Sequence, residues 1–143
     1  MTIKKYGTAQ WQGGLKDGKG TVSTESGALS AHPYGFNTRF GDVKGTNPEE
    51  LVGAAHAACF AMALSNILGE AGLTASALDA KSVVSLDKQP DGFAVTAAHL
   101  TLTATIPGTT DAQFQELAAK AKAGCPISKL LKAEITLEAT LKS

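Results

Sequence analysis

The sequence predicts an α+β protein, and three observations carry that expectation. A helical, nearly all-apolar run lies between Asn47 and Gly72. Two long β-patterned segments meet at the turn signal Gln89-Pro90-Asp91-Gly92. A clean alternation of apolar and polar residues occupies Ala133 to Lys142. At 143 residues the chain suits a single domain, 1–143, with 43% hydrophobic residues to fill its core.

Taken in order, residues 1–46 read as short strands joined by glycine turns. Gly13-Gly14 and Gly18-Lys19-Gly20 punctuate the run, and Thr21-Val22-Ser23-Thr24 has the β-branched, polar character of a surface strand. The aromatic segment His32 to Asn37 reads as a loop. Asn47 then serves as N-cap, Pro48 as the first helical residue and Glu50 as the capping-box partner of a helix predicted over Pro48 to about Glu70, stopped by Gly72. Between Leu51 and Leu64 this helix is apolar on nearly all sides, which predicts a long buried central helix packed against antiparallel-type sheets. Its many alanines allow another backbone to approach closely. A chain this short has few elements to cover every face, so a homodimer is expected.

Lys81–Lys88 and Phe93–Ile106 form a predicted hairpin, and a change of phase near Ala97-Ala98 suggests a bulge. Thr110 with Gln113 opens a second helix that runs to about Ala123. Pro126 directly after Cys125 starts a short third helix with Cys125 at its cap. Ala133 to Lys142 is a half-buried strand.

Charge narrows the function. Thirteen basic residues balance thirteen acidic ones, so the footprint of a nucleic-acid binder is missing. Lys4 and Lys5 precede no apolar run of the kind a signal peptide needs. The 14 positions from Leu51 to Leu64, about 21 Å as a helix, fall short of a membrane span. A cytoplasmic protein is expected, with no membrane or nucleic-acid partner. Two cysteines exclude a disulfide framework and a four-cysteine zinc site, and three scattered histidines build no metal site; no cofactor is expected.

Few residues remain that can carry chemistry. Cys125 at a helix N-terminus meets unpaired N–H groups that favour the thiolate, or is simply a small residue that fits before Pro126. Cys59, mid-helix, reads either as core packing or as a thiol activated by a nearby cation. His56 lies at i−3 on the same face, as a base for Cys59 or as a hydrogen-bonded interior residue. Arg39 is the sole arginine against twelve lysines and sits between apolar and aromatic positions. That placement suggests a need for the planar fork, with Glu49 or Glu50 as its carboxylate. His32 and His99 receive no role.

Asn47-Pro48-Glu49-Glu50-Leu51 followed by Ala54-Ala55-His56-Ala57-Ala58-Cys59-Phe60 resembles the signature helix of the OsmC/Ohr family, the osmotically inducible and organic hydroperoxide resistance proteins. Lys120 to Ser128, with Gly124-Cys125-Pro126, resembles the second signature. Pro33 to Phe40 and Ala133 to Leu137 are similar to the OsmC branch. The resemblance implies an intertwined homodimer with active sites at the subunit interface. It also implies a thiol peroxidase that reduces organic hydroperoxides to alcohols at the expense of an external dithiol. By the same resemblance Cys59 matches the peroxidatic cysteine and Cys125 the resolving one, while Arg39 and Glu49 match the pair that organises the site. Two rival readings of the residues remain: a hydrolase or acyl transferase using Cys59 with His56, and a non-catalytic redox sensor or binder of hydrophobic ligands.

Overall fold

The computed structural model describes residues 1–142, and the chain divides into two compact units, Met1–Leu51 and Val52 onward.

In the first unit, β1 (Gly7–Gln12), β2 (Lys19–Thr24) and β3 (His32–Tyr34) form an antiparallel sheet in chain order. Gly20 on the middle strand is paired with Trp11 on one side and Tyr34 on the other. A Cβ there would lie 2.6 Å from atoms of both rings. The missing side chain is what lets Trp11 and Tyr34 meet across β2, with ring centroids 5.6 Å apart. Where the sequence reads as a loop from His32 to Asn37, the chain forms β3 and then α1 (Phe36–Phe40). The helix is five residues long, too short for the periodicity that identifies helices in sequence. It is held by the Thr38 hydroxyl, which accepts from Gly35 N–H at 2.9 Å.

α2 (Pro48–Glu70) has the predicted bounds. Asn47 Oδ1 accepts from Glu50 N–H at 2.8 Å, and Gly72, at φ +75° with its N–H on Gly69 carbonyl at 3.0 Å, ends the helix. Within the single chain its burial is one-sided, in contrast to the all-round burial that its composition suggests. Gly53, His56, Phe60, Leu64 and Leu68 form the buried stripe, whereas Ala54, Ala55, Ala58 and Met62 on other faces are exposed. At 23 residues, α2 is also long and apolar enough by composition to cross a membrane, because the helix extends beyond the 14-residue apolar run at both ends. Its stripe instead enters a protein core.

That core belongs to the second unit. β4 (Ala77–Gln89) and β5 (Gly92–Thr105) form the predicted antiparallel hairpin, and β6 (Glu134–Lys142) pairs with β5 on its other side. The β5–β6 pair is parallel, a departure from the antiparallel expectation. Its cause is the intervening crossover, which carries α3 (Asp111–Gly124) and α4 (Pro126–Leu130). The hairpin register shifts where Ser85 faces Ala97 and Leu86 faces Val95, so the extra residue is Thr96, just before the predicted site. Its hydroxyl bonds to Asp87 across the bulge.

Ala98, Leu100, Leu102 and Ala104 project from one face of β5. Leu100, Leu102 and Ala104 pack with Phe60, Leu64 and Leu68 of α2 and with Phe114, Ala118 and Ala121 of α3. At Gly53 the backbone of α2 comes against β4. A Cβ there would lie 2.9 Å from the Ser82 carbonyl oxygen, which is backbone and has little room to move. Gly53→Ala is expected to lower stability by about 1–3 kcal/mol through overpacking, read as a reduced urea midpoint at unchanged m-value.

Candidate active site

In the first unit, α1 turns the Arg39 side chain toward the start of α2. Arg39 Nε and Nη2 each donate to Glu49, to Oε1 and Oε2, both at 3.0 Å. This two-pronged geometry requires a planar guanidinium, and it resolves the choice of carboxylate in favour of Glu49. Glu50 is left at the third residue past the cap. Asn47 ties the two pieces together, since its Nδ2 donates to Thr38 carbonyl at 3.1 Å while its Oδ1 caps α2. The Arg39 Cζ lies 5.3 Å from the centre of the Phe40 ring. Arg39 also lines a cleft of about 290 Å³ whose other walls are Trp11, Leu15, Tyr34, Gly35, Phe36 and Phe40. The cleft thus combines a fixed cation with an apolar, aromatic wall.

In the second unit, the buried stripe sets the rotation of α2 and leaves Cys59, one residue before Phe60, half-buried. Cys125 is completely buried and occupies the junction of α3 and α4. Its N–H bonds to Ala121 carbonyl at 2.9 Å, ending α3, and its carbonyl accepts from Lys129 N–H at 3.1 Å, opening α4. Both cysteines are free thiols, and each shifts the proton affinity of the other.

The environment treats the two thiols oppositely. Burial pushes Cys59 up, and donating its proton to Cys125 together with the charge there pushes it further; only the Ile127 N–H opposes. Burial also pushes Cys125 up. The hydrogen bonds it receives from Cys59, from the Ser128 N–H and hydroxyl, and from the Ile127 N–H together outweigh burial, and its pKa falls below the ordinary thiol value. Within this unit the thiolate therefore favours Cys125, with Cys59 as donor.

His56 faces away from a base role toward Cys59. It is fully buried, with Nδ1 2.8 Å from Ser82 Oγ on β4 and Nε2 2.8 Å from Ser128 Oγ on α4. Ser128 and Ser82 both escape sequence reasoning. The i+3 spacing from Cys125 was a usable signal for Ser128, whereas Ser82 is brought in only by packing of α2 on β4. His99 joins β5 to β6 through Thr136 Oγ1 at 2.6 Å. Among the described residues no three His, Cys, Asp or Glu side chains cluster as a metal site requires.

The fold and these groups define an α+β protein with a reduced, directly interacting dithiol. Residues 41–140 match the family model described as OsmC-like protein. The chain is 60% identical, over all of its length and all of the relative's, to Peroxiredoxin OsmC of Escherichia coli strain K12. It is 33% identical over 98 residues, 68% of this chain and 67% of the relative, to an organic hydroperoxide resistance protein of Xanthomonas axonopodis pv. citri. Among solved structures it resembles the organic hydroperoxide resistance protein OhrB of Bacillus subtilis, at TM-score 0.68 and 26% identity, covering 96% of this chain and 98% of that one. The chain belongs to the OsmC family, and its relatives support a peroxidase-type role.

Burial lowers the His56 pKa below 6.5, so the folded protein keeps this imidazole neutral. The unfolded chain then binds more protons near and below that value, and stability is lost as pH falls through it. Urea midpoints are expected to drop between pH 7.5 and pH 5.5, with a shallower drop in His56→Gln.

Proposed function

We propose that the protein is a cysteine-based peroxidase that reduces organic hydroperoxides to alcohols, with Cys59 as peroxidatic and Cys125 as resolving cysteine. The observation that carries this reading is a pair of free thiols at one core that act on each other's protons and differ in access, one half-buried and one sealed. A peroxide must reach the sulfur it oxidises, and Cys59 is the sulfur with exposure.

The Cys59 thiolate attacks the distal peroxide oxygen. The S–O bond forms, the O–O bond breaks, the alcohol leaves with a proton, and Cys59 becomes a sulfenic acid. Cys125 then attacks the Cys59 sulfur and expels hydroxide as water, giving the Cys59–Cys125 disulfide. An external dithiol returns both to thiols by exchange.

Cys59 by itself holds its proton, so the mechanism needs a cation that shifts the thiolate onto it. Arg39 fills that role in this reading, with Glu49 fixing its plane, and it also stabilises charge on the departing oxygen. The aromatic cleft beside Arg39 suits the hydrocarbon part of an alkyl or lipid hydroperoxide better than hydrogen peroxide. The exposed alanine face of α2 suits a second subunit, and a homodimer in the cytoplasm completes the reading.

Purified protein with cumene hydroperoxide and a dithiol is expected to consume peroxide over many turnovers, and Cys59→Ser to abolish consumption. Full activity in that variant overturns the assignment, and ester cleavage without disulfide formation favours a hydrolase instead. Oxidation by one equivalent of peroxide should lower the intact mass by two daltons, the loss of two hydrogens on disulfide formation. Arg39→Lys keeps the charge but loses one prong of the fork, and kcat/KM should fall about 10- to 100-fold.

A further inference from the structure

We propose that Ser128, His56 and Ser82 form a proton wire that serves Cys125 in the disulfide-forming and disulfide-reducing steps. The inference rests on the cysteine cycle proposed above and goes beyond it, since none of these three residues takes part in that cycle.

The geometry is a continuous chain. Ser128 sits three residues past Cys125 in the opening turn of α4, where its hydroxyl and N–H act on the buried thiol and lower its pKa. Ser128 Oγ is 2.8 Å from His56 Nε2, and His56 Nδ1 is 2.8 Å from Ser82 Oγ. Its inner end is sealed: Cys125 and His56 are fully buried, and Ser128 is 9% exposed. Its outer end, Ser82, is only half-buried. The titratable groups on or touching the chain are His56, Cys125 and, through Cys125, Cys59. Both imidazole nitrogens are engaged with hydroxyls, and a hydroxyl both donates and accepts. The chain therefore has two complete orientations with His56 neutral in each.

With Cys125 as thiolate, every donor points inward. Ser82 O–H donates to His56 Nδ1, His56 Nε2–H to Ser128 Oγ, and Ser128 O–H to the sulfur. With Cys125 as thiol every donor points outward. Passing from the second orientation to the first moves one proton from Cys125 to the solvent side of Ser82 and leaves no charge on the way. A buried sulfur needs such a path, since water cannot reach it to take the proton.

The steps balance. During closure the Cys125 proton leaves along the wire to solvent, the thiolate forms the S–S bond with Cys59, the S–O bond breaks, and the hydroxide departing at half-buried Cys59 takes a proton from solvent to become water. During reduction the external dithiol thiolate attacks Cys59, the S–S bond breaks with its electron pair on Cys125, and a proton returns inward along the same path. Ser128 touches the reacting sulfur and is a catalytic residue in this scheme. His56 acts through Ser128 and is a positioning residue.

The test follows peroxide oxidation of the reduced protein by rapid quench, dimedone trapping of sulfenic acid and intact mass. In His56→Gln both hydrogen bonds can be kept, but no proton can be relayed. Sulfenic acid should form at the wild-type rate, and disulfide closure should slow about 100-fold, with the same direction in Ser128→Ala. Wild-type closure should slow in D2O with a curved dependence on deuterium fraction, a curvature that His56→Gln loses and a merely structural role would not produce. Ser82→Ala, at the half-exposed end, carries the test should His56→Gln fail to unfold cooperatively, and should slow closure in the same way. Closure at the wild-type rate in these variants, or without a solvent isotope effect, overturns the wire. Failure of the peroxidase reading looks different: wild-type protein would then leave peroxide unconsumed. The wire is still read in that case by thiolate absorbance at 240 nm, whose titration should move up by about 1 pH unit in Ser128→Ala. An unmoved titration overturns it.

Discussion

The rotation of α2 about its own axis is the constraint on which the rest of the second unit depends. Gly53, His56, Phe60, Leu64 and Leu68 recur at three- and four-residue intervals and must all face the sheet to be buried. Fixing Phe60 inward puts Cys59 about 100° around the helix, at the margin of the buried stripe, as 3.6 residues per turn dictates. A helix turned by one residue would bury Cys59 or expose it fully. The same rotation sends His56 into the interior between β4 and α4, and it needs the bare Gly53 for the close approach to β4. Packing of ordinary apolar side chains thus sets the access of the Cys59 sulfur.

The two cysteines illustrate how position can outweigh desolvation. Each is penalised by burial, yet only Cys125 is given enough donors to overcome the penalty. Apart from Cys59, those donors sit in the opening turn of α4, whose first N–H groups have no partner within the helix. The reduced pair is therefore biased toward a thiolate at the inaccessible sulfur. In the reading proposed above, an accessible thiol held protonated by its neighbour becomes a nucleophile once a cation reverses the bias.

Much of this was legible in the residues. The bounds of α2, the cap at Asn47 and the start of α4 at Pro126 follow from capping chemistry, which is local. The pairing of Arg39 with a carboxylate at the head of α2 follows from a single arginine in a lysine-rich chain. The capping place of Glu50 leaves Glu49 the freer carboxylate in the sequence, and the two-pronged bond of Arg39 goes to Glu49. α1 was hidden, since five residues carry no period. Nor was the parallel direction of β6 readable, because alternation gives a strand its faces and not its orientation. The links of His56 to Ser82 and Ser128 join residues far apart in sequence, and no local rule reaches that distance. The Gln113 capping box was half right. Its N–H does donate to Thr110, but its side-chain oxygen accepts from Thr109 rather than closing the reciprocal bond.

The parallel pairing of β5 with β6 bears on how the molecule comes into being during synthesis. The β4–β5 hairpin can form as soon as it leaves the ribosome, since its partners are neighbours in sequence. The far edge of β5 must wait for the whole crossover, and Cys125 lies inside that crossover. Cys59 lies in α2 ahead of the hairpin and Cys125 in the crossover behind it, so the two sulfurs can meet only once the chain through Cys125 has been made. Until then the chain holds one cysteine without its partner, and the dithiol is a product of tertiary packing across the crossover.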